Sequence, residues 1–445
     1  MLEQNPRGRC EMPAKDAADS AREDLDRWRE QASENRYAAD GFIRRLLHCH
    51  LGPRWAEADA HLRAVSDQTG HRLDAFARES NRDENLPRLR RHDDLGRTIE
   101  EIIFHPSYHE AGRIFWSSGV LAALALPGNE VLAGGIAYLL DQHGEAGHAC
   151  PVACTAGAIK LLQKVGSGDQ KGRLLPRLLS SDYDQRLHAA QFVTEVQGGS
   201  DVGANSCRAR ADHRRKGWYR ISGEKWFCSV ADAELFVVSA RVDGSPSGTS
   251  GLGLVLVPRH VDGRVNGFNL RNLKYKLGTR SMATGEIEFD LALGEAIGDL
   301  NRGFRNLVAI VLDTSRVHNA IAACGIARRA LAESHAFAQH RRAFANEIAR
   351  YPGVQETLAR MKLSTMTALS TTFRILAISD LIDTGQAGKD LVDARRISVM
   401  INKYWTAMTS TACARDGIEP VSYTHLRAHE TASFRAYAVF CLRRG

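Results

Sequence analysis

The sequence predicts an α+β fold: a helical N-terminal domain (46–187), a central antiparallel β-barrel domain (188–298) and a C-terminal helical bundle (299–420). Three observations predict it. Before His188 apolar residues recur at three and four positions, from there to Ile297 short strand-like runs alternate with turns, and after Gly303 long 3.6-period stripes return.

Taken in order, residues 1–45 are polar and rich in Arg, Asp, Glu and Ala, with a helical run from Asp16 to Arg36, and read as an arm packed on a larger body. His48-Cys49-His50 does not read as a metal site, because adjacent side chains cannot all point one way and no second ligand cluster follows at finger spacing. From Pro53 to Asp182 the pattern is helical, through Leu62, Val65, Leu73 and Phe76 and again through Ile114, Val120, Leu121 and Leu124. Pro106, Pro127, Pro151 and Pro176 punctuate it near helix ends. His148, Cys150 and Cys154 read as small buried packing residues rather than metal ligands. Strand-like runs follow at Ala189–Val193, Trp218–Ser222, Leu235–Arg241, Gly253–Val257 and Gly285–Phe289, separated by turns such as Asp243-Gly244-Ser245-Pro246 and Asp262-Gly263. Three long helices are expected at about 304–342, 354–383 and 390–416, joined at the last junction by a Gly385–Gly388 turn. A bundle normally closes with a fourth helix, and about 25 residues follow Pro420.

A length of 445 residues exceeds one typical core and predicts two or three packed units. The 44% hydrophobic and 25% charged content is that of an ordinary globular protein, and no uninterrupted apolar run reaches the ~18 residues of a membrane span. Met1 to Arg9 lacks the apolar core of a secretory signal, so a cytoplasmic protein is expected. The nine cysteines, odd in number and scattered, are expected to be reduced. The net charge of +7 suits an anionic partner, whether nucleic acid, a phosphate-bearing cofactor or coenzyme A. The basic clusters Arg88-Leu89-Arg90-Arg91 and Arg341-Arg342 read as solvated faces.

The chemistry concentrates at Gln191-Phe192-Val193-Thr194-Glu195-Val196-Gln197-Gly198-Gly199-Ser200-Asp201-Val202, where an apolar strand turns into a polar loop. Glycines without a Cβ let a flat ligand or a phosphate approach the backbone, and Thr194 and Ser200 offer hydroxyls. Such a loop serves as an ordinary turn or as a cofactor cradle. In Gly223-Glu224-Lys225-Trp226-Phe227-Cys228-Ser229, two aromatics and a hydroxyl at a strand end either face a planar ring or belong to the core.

Together these motifs resemble the acyl-CoA dehydrogenase family. The resemblance runs from about Gly144 to Ile418 through Phe192-Val193-Thr194-Glu195, Gly198-Gly199-Ser200-Asp201, Gly223 to Ser229, Leu273 to Gly278 with Gly285 to Phe289, Thr314-Ser315-Arg316 and His340-Arg341-Arg342-Ala343-Phe344. The Gln-Gly-Gly-Ser-Asp-Val loop, the N-terminal arm and Lys276 to Ser281 look most like the alkylation-response (AidB-type) branch. The resemblance implies an FAD-dependent oxidoreductase that removes two hydrogens across the α and β carbons of an acyl-CoA thioester. It also implies a homo-oligomer, a dimer or tetramer, that passes electrons to an electron-transferring flavoprotein. By position it assigns Phe192, Val193, Thr194, Gly199, Ser200, Phe227, Cys228, Ser229 and Arg341 to FAD, with Arg341 reaching the pyrophosphate of a neighbouring subunit, and Ser200 and Arg316 to the substrate.

The base that such a reaction needs is not identified. One part of the family carries it just before the arginine of the first long C-terminal helix, where this chain has Ser315; the rest carries it in a Tyr/Trp-Glu-Gly segment near the C-terminus, which this chain lacks. Asp313 reads better as a surface or capping carboxylate, and the Ala-His-Glu-Thr context of Glu430 does not match. The family pattern stops after Glu419, and residues 421–445 resemble translated adaptor sequence, so an incomplete copy with impaired catalysis is expected. The alternative is a flavin-containing, DNA-associated alkylation-response protein with little dehydrogenase activity. That branch typically carries a basic C-terminal extension that this sequence does not show.

Overall fold

The computed structural model describes residues 14–33, 36–144 and 147–421. The sequence readings of the first residues, of Glu430 and of the tail beyond Val421 lie outside them.

The N-terminal part contains α1 (Ala14–Ser33), α2 (Arg36–Ala39), α3 (Gly41–Leu51), α4 (Trp55–Thr69) and α5 (His71–Ser80). A hairpin of β1 (Arg88–His92) and β2 (Thr98–Ile103) follows, then α6 (Pro106–Ser117), α7 (Glu130–Asp141), α8 (Ala149–Val165) and α9 (Gly168–Leu178). Local chemistry sets several starts. Asp40 caps α3 by accepting from the Phe42 and Ile43 amides, Pro106 occupies the first turn of α6, and Ser167 and Gln170 form a reciprocal capping box on α9. The hairpin corrects the all-helical reading of this region. Arg88-Leu89-Arg90-Arg91 is an antiparallel strand with alternating exposure: Arg88 and Arg90 lie on its wet face, while Arg91 donates to the Leu270 and Arg271 carbonyls of the central domain. Leu89 on the other face packs on the core of the central domain.

The central domain is built from β3 (Ala189–Phe192), β4 (Arg208–Ala211), β5 (Trp218–Ser229), β6 (Leu235–Val242), β7 (Leu252–Pro258), the short pair β8 (His260–Val261) and β9 (Arg264–Val265), β10 (Phe268–Leu273) and β11 (Thr284–Ala296). The ladder β11–β5–β4–β6–β7 returns to β11, which closes a barrel, with β3 and β10 added outside the ring. Most pairings are antiparallel. β6, however, lies parallel to both β3 and β4, a correction to the antiparallel barrel. The physical reason is that β3 arrives from α9 and β4 from the 193–207 loop, neither of which is a hairpin that enforces antiparallel entry. Phe192, Ile221, Cys228, Phe236, Val238, Val255, Leu270 and Ile287 fill this core.

The C-terminal part begins with α10 (Gly303–Asn306), passes through a π-helical stretch at Leu307–Leu312 and continues as α11 (Asp313–His340). A small hairpin of β12 (Arg342–Ala343) and β13 (Asn346–Glu347) leads to α12 (Pro352–Asp383) and α13 (Lys389–Val421). The stretch Leu300–His340 contains a window apolar and long enough for a membrane span, yet 56% of that window is buried inside this fold. α11 packs on α1, α7, α8, α12 and α13, so its apolar character follows from being surrounded.

One continuous apolar core joins the two helical parts to one side of the sheet, through Leu140, Ile159, Leu162, Val237, Leu256, Ile297, Val311, Ile321 and Phe373. Polar groups fix the junctions. Gln170 donates to the Ala296 carbonyl at 2.9 Å, and the Asp380 carboxylate of α12 accepts from the Glu130 and Val131 amides at 2.6 and 3.2 Å, capping α7 from another part of the chain.

At the boundary between α9 and the barrel, the buried His188 ring lies 3.0 Å from Asp232 and 2.6 Å from Glu234. Burial pulls its pKa down, but the two carboxylates outweigh burial and hold it at about 9. A folded value above the unfolded ~6.5 means that this stabilisation is complete below that pH and is lost as pH rises through about 9. Chemical denaturation is therefore expected to show a loss of roughly 2–3 kcal/mol between pH 6.5 and 9.5 that His188→Gln removes.

Candidate active site

β3 ends at Phe192, and the chain runs on through Val193 and Thr194 before reversing at Glu195–Gly198, where the Gly198 amide donates to the Glu195 carbonyl at 2.9 Å. Gly198 takes φ +112°, a conformation open to glycine and strained for other residues. A Cβ on Gly199 would stand 3.0 Å from the hydroxyl of the half-buried Thr194, tighter than an ordinary contact, so a glycine there leaves that hydroxyl room. Ser200 and Asp201 are exposed beyond it.

A buried ion pair fixes this loop. The Lys225 ammonium of β5, with none of its side chain exposed, lies 2.8 Å from the Glu195 carboxylate and donates to the Val193 carbonyl at 3.2 Å. Glu195 also accepts from the Ser206 amide at 2.6 Å, the Ser206 hydroxyl at 3.0 Å and the Cys207 amide at 3.1 Å. Burial raises its pKa, but Lys225 and these donors outweigh burial and hold the carboxyl below its ordinary value. Asn205 adds a bond to the Val193 carbonyl at 2.7 Å. Glu195, Lys225 and Asn205 carry no role in the sequence reading. The available signal was an opposite-charge pair, Glu195 in the loop after β3 and Lys225 in β5, which a charge count does not distinguish from surface residues.

β5 brings the second motif alongside. The Trp226 amide donates to the Thr194 carbonyl at 2.9 Å, joining the two motifs edge to edge. Trp226 is 38% exposed, and the Lys274 ammonium sits 3.7 Å over its ring. Phe227 is half-buried and Ser229 is buried at the strand end. Two assigned residues have their side chains in the barrel core. Phe192 is fully buried against Phe236, with ring centroids 4.7 Å apart, and the Cys228 thiol bonds the Lys225 carbonyl inside the barrel core. Both side chains point into the core, so a cofactor contact at Phe192 or Cys228 would be made by backbone. Val193 is half-buried against the large core.

A third cluster lies where the three parts of the chain meet. The Ser315 hydroxyl donates to the Val311 carbonyl at 3.1 Å and to the Gln191 side-chain carbonyl at 3.3 Å, while the Gln191 amide donates to the Cys154 carbonyl at 3.0 Å. Val311 belongs to the π-helical stretch, a distortion that recurs at functional sites. A Cβ on Gly157 would fall 2.4 Å from the Gln191 amide nitrogen, so that glycine makes the bridge possible. Arg316 is half-buried on the same helix. Asp313 pairs with Arg395 at 2.7 Å, a structural bond across the bundle rather than a free base or a surface carboxylate.

Arg341 is exposed and closes α11: its amide donates to the Phe337 carbonyl at 2.8 Å and its carbonyl accepts from Ile348 at 2.9 Å. It starts the β12–β13 hairpin, whose tip residues Phe344 and Ala345 take φ +50° and +66°, with Phe344 92% exposed. Among the described residues no group of three His, Cys, Asp or Glu side chains is placed to hold a metal.

Two helical parts on either side of a closed barrel define a helix–barrel–helix class of protein. Residues 28–185 match the family described as adaptive response protein AidB N-terminal domain, 190–292 the acyl-CoA dehydrogenase middle domain and 301–423 the acyl-CoA dehydrogenase C-terminal domain. The chain belongs to the acyl-CoA dehydrogenase family, with an N-terminal domain of the AidB type. It is 28% identical over 398 residues to acyl-CoA dehydrogenase family member 11 of Caenorhabditis elegans, covering 86% of this chain and 64% of that one. It is 31% identical over 314 residues to putative acyl-CoA dehydrogenase AidB of Escherichia coli K12, covering 65% and 54%. The solved structure of C. elegans ACDH-11 in complex with C11-CoA superposes with a TM-score of 0.85 at 26% identity, covering 91% of this chain and 70% of that one. This chain thus spans less than two thirds of the length of the two curated relatives.

Two outcomes follow from the geometry. Lys225→Met strands the Glu195 carboxylate and is expected to cost about 3–5 kcal/mol in chemical denaturation. Ala345→Gly relieves a left-handed alanine and is expected to add roughly 0.5–1 kcal/mol.

Proposed function

We propose that this chain is an FAD-dependent acyl-CoA dehydrogenase whose flavin rests on the edge formed by Thr194, Gly199 and Trp226. The observation that carries the reading is the Thr194 hydroxyl next to Gly199, which has no Cβ, with the Thr194 carbonyl bonded to the amide of the exposed Trp226. Such an edge fits a flat ring on one side and a close backbone approach on the other. When bound, FAD supplies the two-electron oxidant. The chain's part is to bind and orient: Thr194 and the Val193–Glu195 backbone face the ring, Phe227 and Ser229 flank it, and Ser200 lies on the rim where the pyrophosphate or the acyl-CoA would pass. Arg341, a guanidinium on an exposed hairpin, suits phosphate oxygens of a neighbouring copy.

A second copy is the proposed cover for the exposed face of α13. Ile397, Met400, Ile401, Tyr404, Trp405 and Met408 form a stripe at helical spacing, each 36–63% exposed, and an apolar face of this kind marks an interface. An electron-transferring flavoprotein or another acceptor is the proposed redox partner.

The proton-accepting role is the weak point of this chain's chemistry. Where part of the family has a carboxylate, Ser315 presents a hydroxyl already donated to Val311 and Gln191, which cannot hold an α proton at neutral pH. Slow dehydrogenation is therefore the reading for this sequence.

Purified protein is expected to bind FAD with yellow flavin absorbance, and acyl-CoA is expected to bleach it slowly under anaerobic conditions. Ser315→Glu is expected to accelerate that bleaching by at least about tenfold, the lower range of general-base effects. Colourless protein after FAD addition would overturn the flavoprotein reading, and an unchanged bleaching rate would overturn the role given to position 315.

A further inference from the structure

We infer that the N-terminal arm is a clasp that sets the position of Arg341, with Gln31 and Trp28 as its positioning residues. This inference rests on the reading of Arg341 as a phosphate-binding residue. α1 lies along the last turns of α11, the helix that Arg341 terminates. The Gln31 amide donates to the Gln339 side chain at 2.7 Å and its carbonyl oxygen lies 2.7 Å from His340 Nε2, so one side chain spans the two residues before Arg341. Three residues earlier, Trp28 donates to the Glu333 carbonyl at 3.2 Å and meets Phe337 edge to face, with centroids 5.3 Å apart at 85°. Phe337 is the residue whose carbonyl accepts the Arg341 amide.

The last turn of a helix is its loosest part, because its final carbonyls lack intrahelical partners. Here the chain must leave helical geometry at Arg341, at φ −72° and ψ 128°, and enter a hairpin with two left-handed non-glycine residues. Small changes in that last turn therefore swing the whole hairpin and the guanidinium at its base. The arm removes this freedom from outside. It is in turn anchored deeper in the fold, where the buried Arg36 side chain bonds the Ala32 carbonyl at 3.0 Å and the His143 ring at 3.1 Å, and Asp40 pairs with Arg328 of α11 at 2.6 Å. Arg36, Asp40, Trp28 and Gln31 thus attach the arm to the stretch of α11 and its neighbours that ends at Arg341. No residue of the arm needs to touch FAD for the arm to govern its retention.

The test measures FAD dissociation constants for the full chain and for Gln31→Ala, Gln31→Glu, Arg341→Ala and the Gln31→Ala/Arg341→Ala double variant, with amide hydrogen exchange of residues 337–348 in the apoprotein. Gln31→Ala is expected to weaken FAD roughly fivefold or more and to speed that exchange. Gln31→Glu, which keeps the acceptor for His340 but loses the donor to Gln339, is expected to fall between Gln31→Ala and the unaltered chain. In the Arg341→Ala background, Gln31→Ala is expected to add nothing. An effect of Gln31→Ala that persists undiminished without Arg341, or an affinity unchanged by Gln31→Ala while Arg341→Ala weakens it, would overturn the clasp alone. FAD affinity unchanged by Arg341→Ala would overturn the phosphate-binding reading, and the clasp with it.

Discussion

The buried pair between Lys225 and Glu195 is the constraint on which the candidate site depends. An ammonium with no exposed side-chain surface persists inside an apolar barrel only if its charge is met, and here Glu195 meets it at 2.8 Å. The carboxylate is satisfied in turn by the Ser206 and Cys207 amides and the Ser206 hydroxyl, so one residue fixes both ends of the 195–207 excursion. Because Lys225 also holds the Val193 carbonyl and immediately precedes Trp226, the same side chain sets Thr194 against the tryptophan edge. The electrostatic requirement of a buried charge thereby becomes the positional requirement of a binding edge.

The three parts of the chain are joined by different kinds of bond, and the difference matters for the site. A shared apolar core gives the bulk of the cohesion without fixing direction. Direction comes from single polar contacts: Gln170 on the end of β11, Asp380 on the start of α7, and the line from Cys154 through Gln191 to Ser315. The last of these lies on the strand that leads to Thr194, three residues away.

Much of this architecture was legible in the sequence, because the switch from 3.6-period to alternating patterns and back reports burial directly. The long helices and the barrel strands fall where those periods change. Less legible were features set by partners distant in sequence. The β1–β2 hairpin hides in Arg88 to Arg91, since three arginines in four residues look like a charged coil until a partner strand is seen. The parallel pairing of β3 and β4 with β6 depends on how loops route the chain, which no local pattern records. At the site, the motif residues were visible but their directions were not: Phe192 and Cys228 sit in the motifs and point into the core. Lys225 was visible as a lysine in a motif and invisible as a buried charge. The tightness of the α11 terminus, held by an arm some three hundred residues earlier in the chain, is likewise a tertiary fact.

The central claim is that the edge of Thr194, Gly199 and Trp226, held by Glu195 and Lys225, is where a flavin rests. A crystal structure of the protein grown with FAD tests it most directly. The account predicts isoalloxazine density against the Thr194 hydroxyl and the Trp226 edge, with the Glu195–Lys225 pair intact behind it. Flavin density seated elsewhere, with that edge left bare, would contradict it.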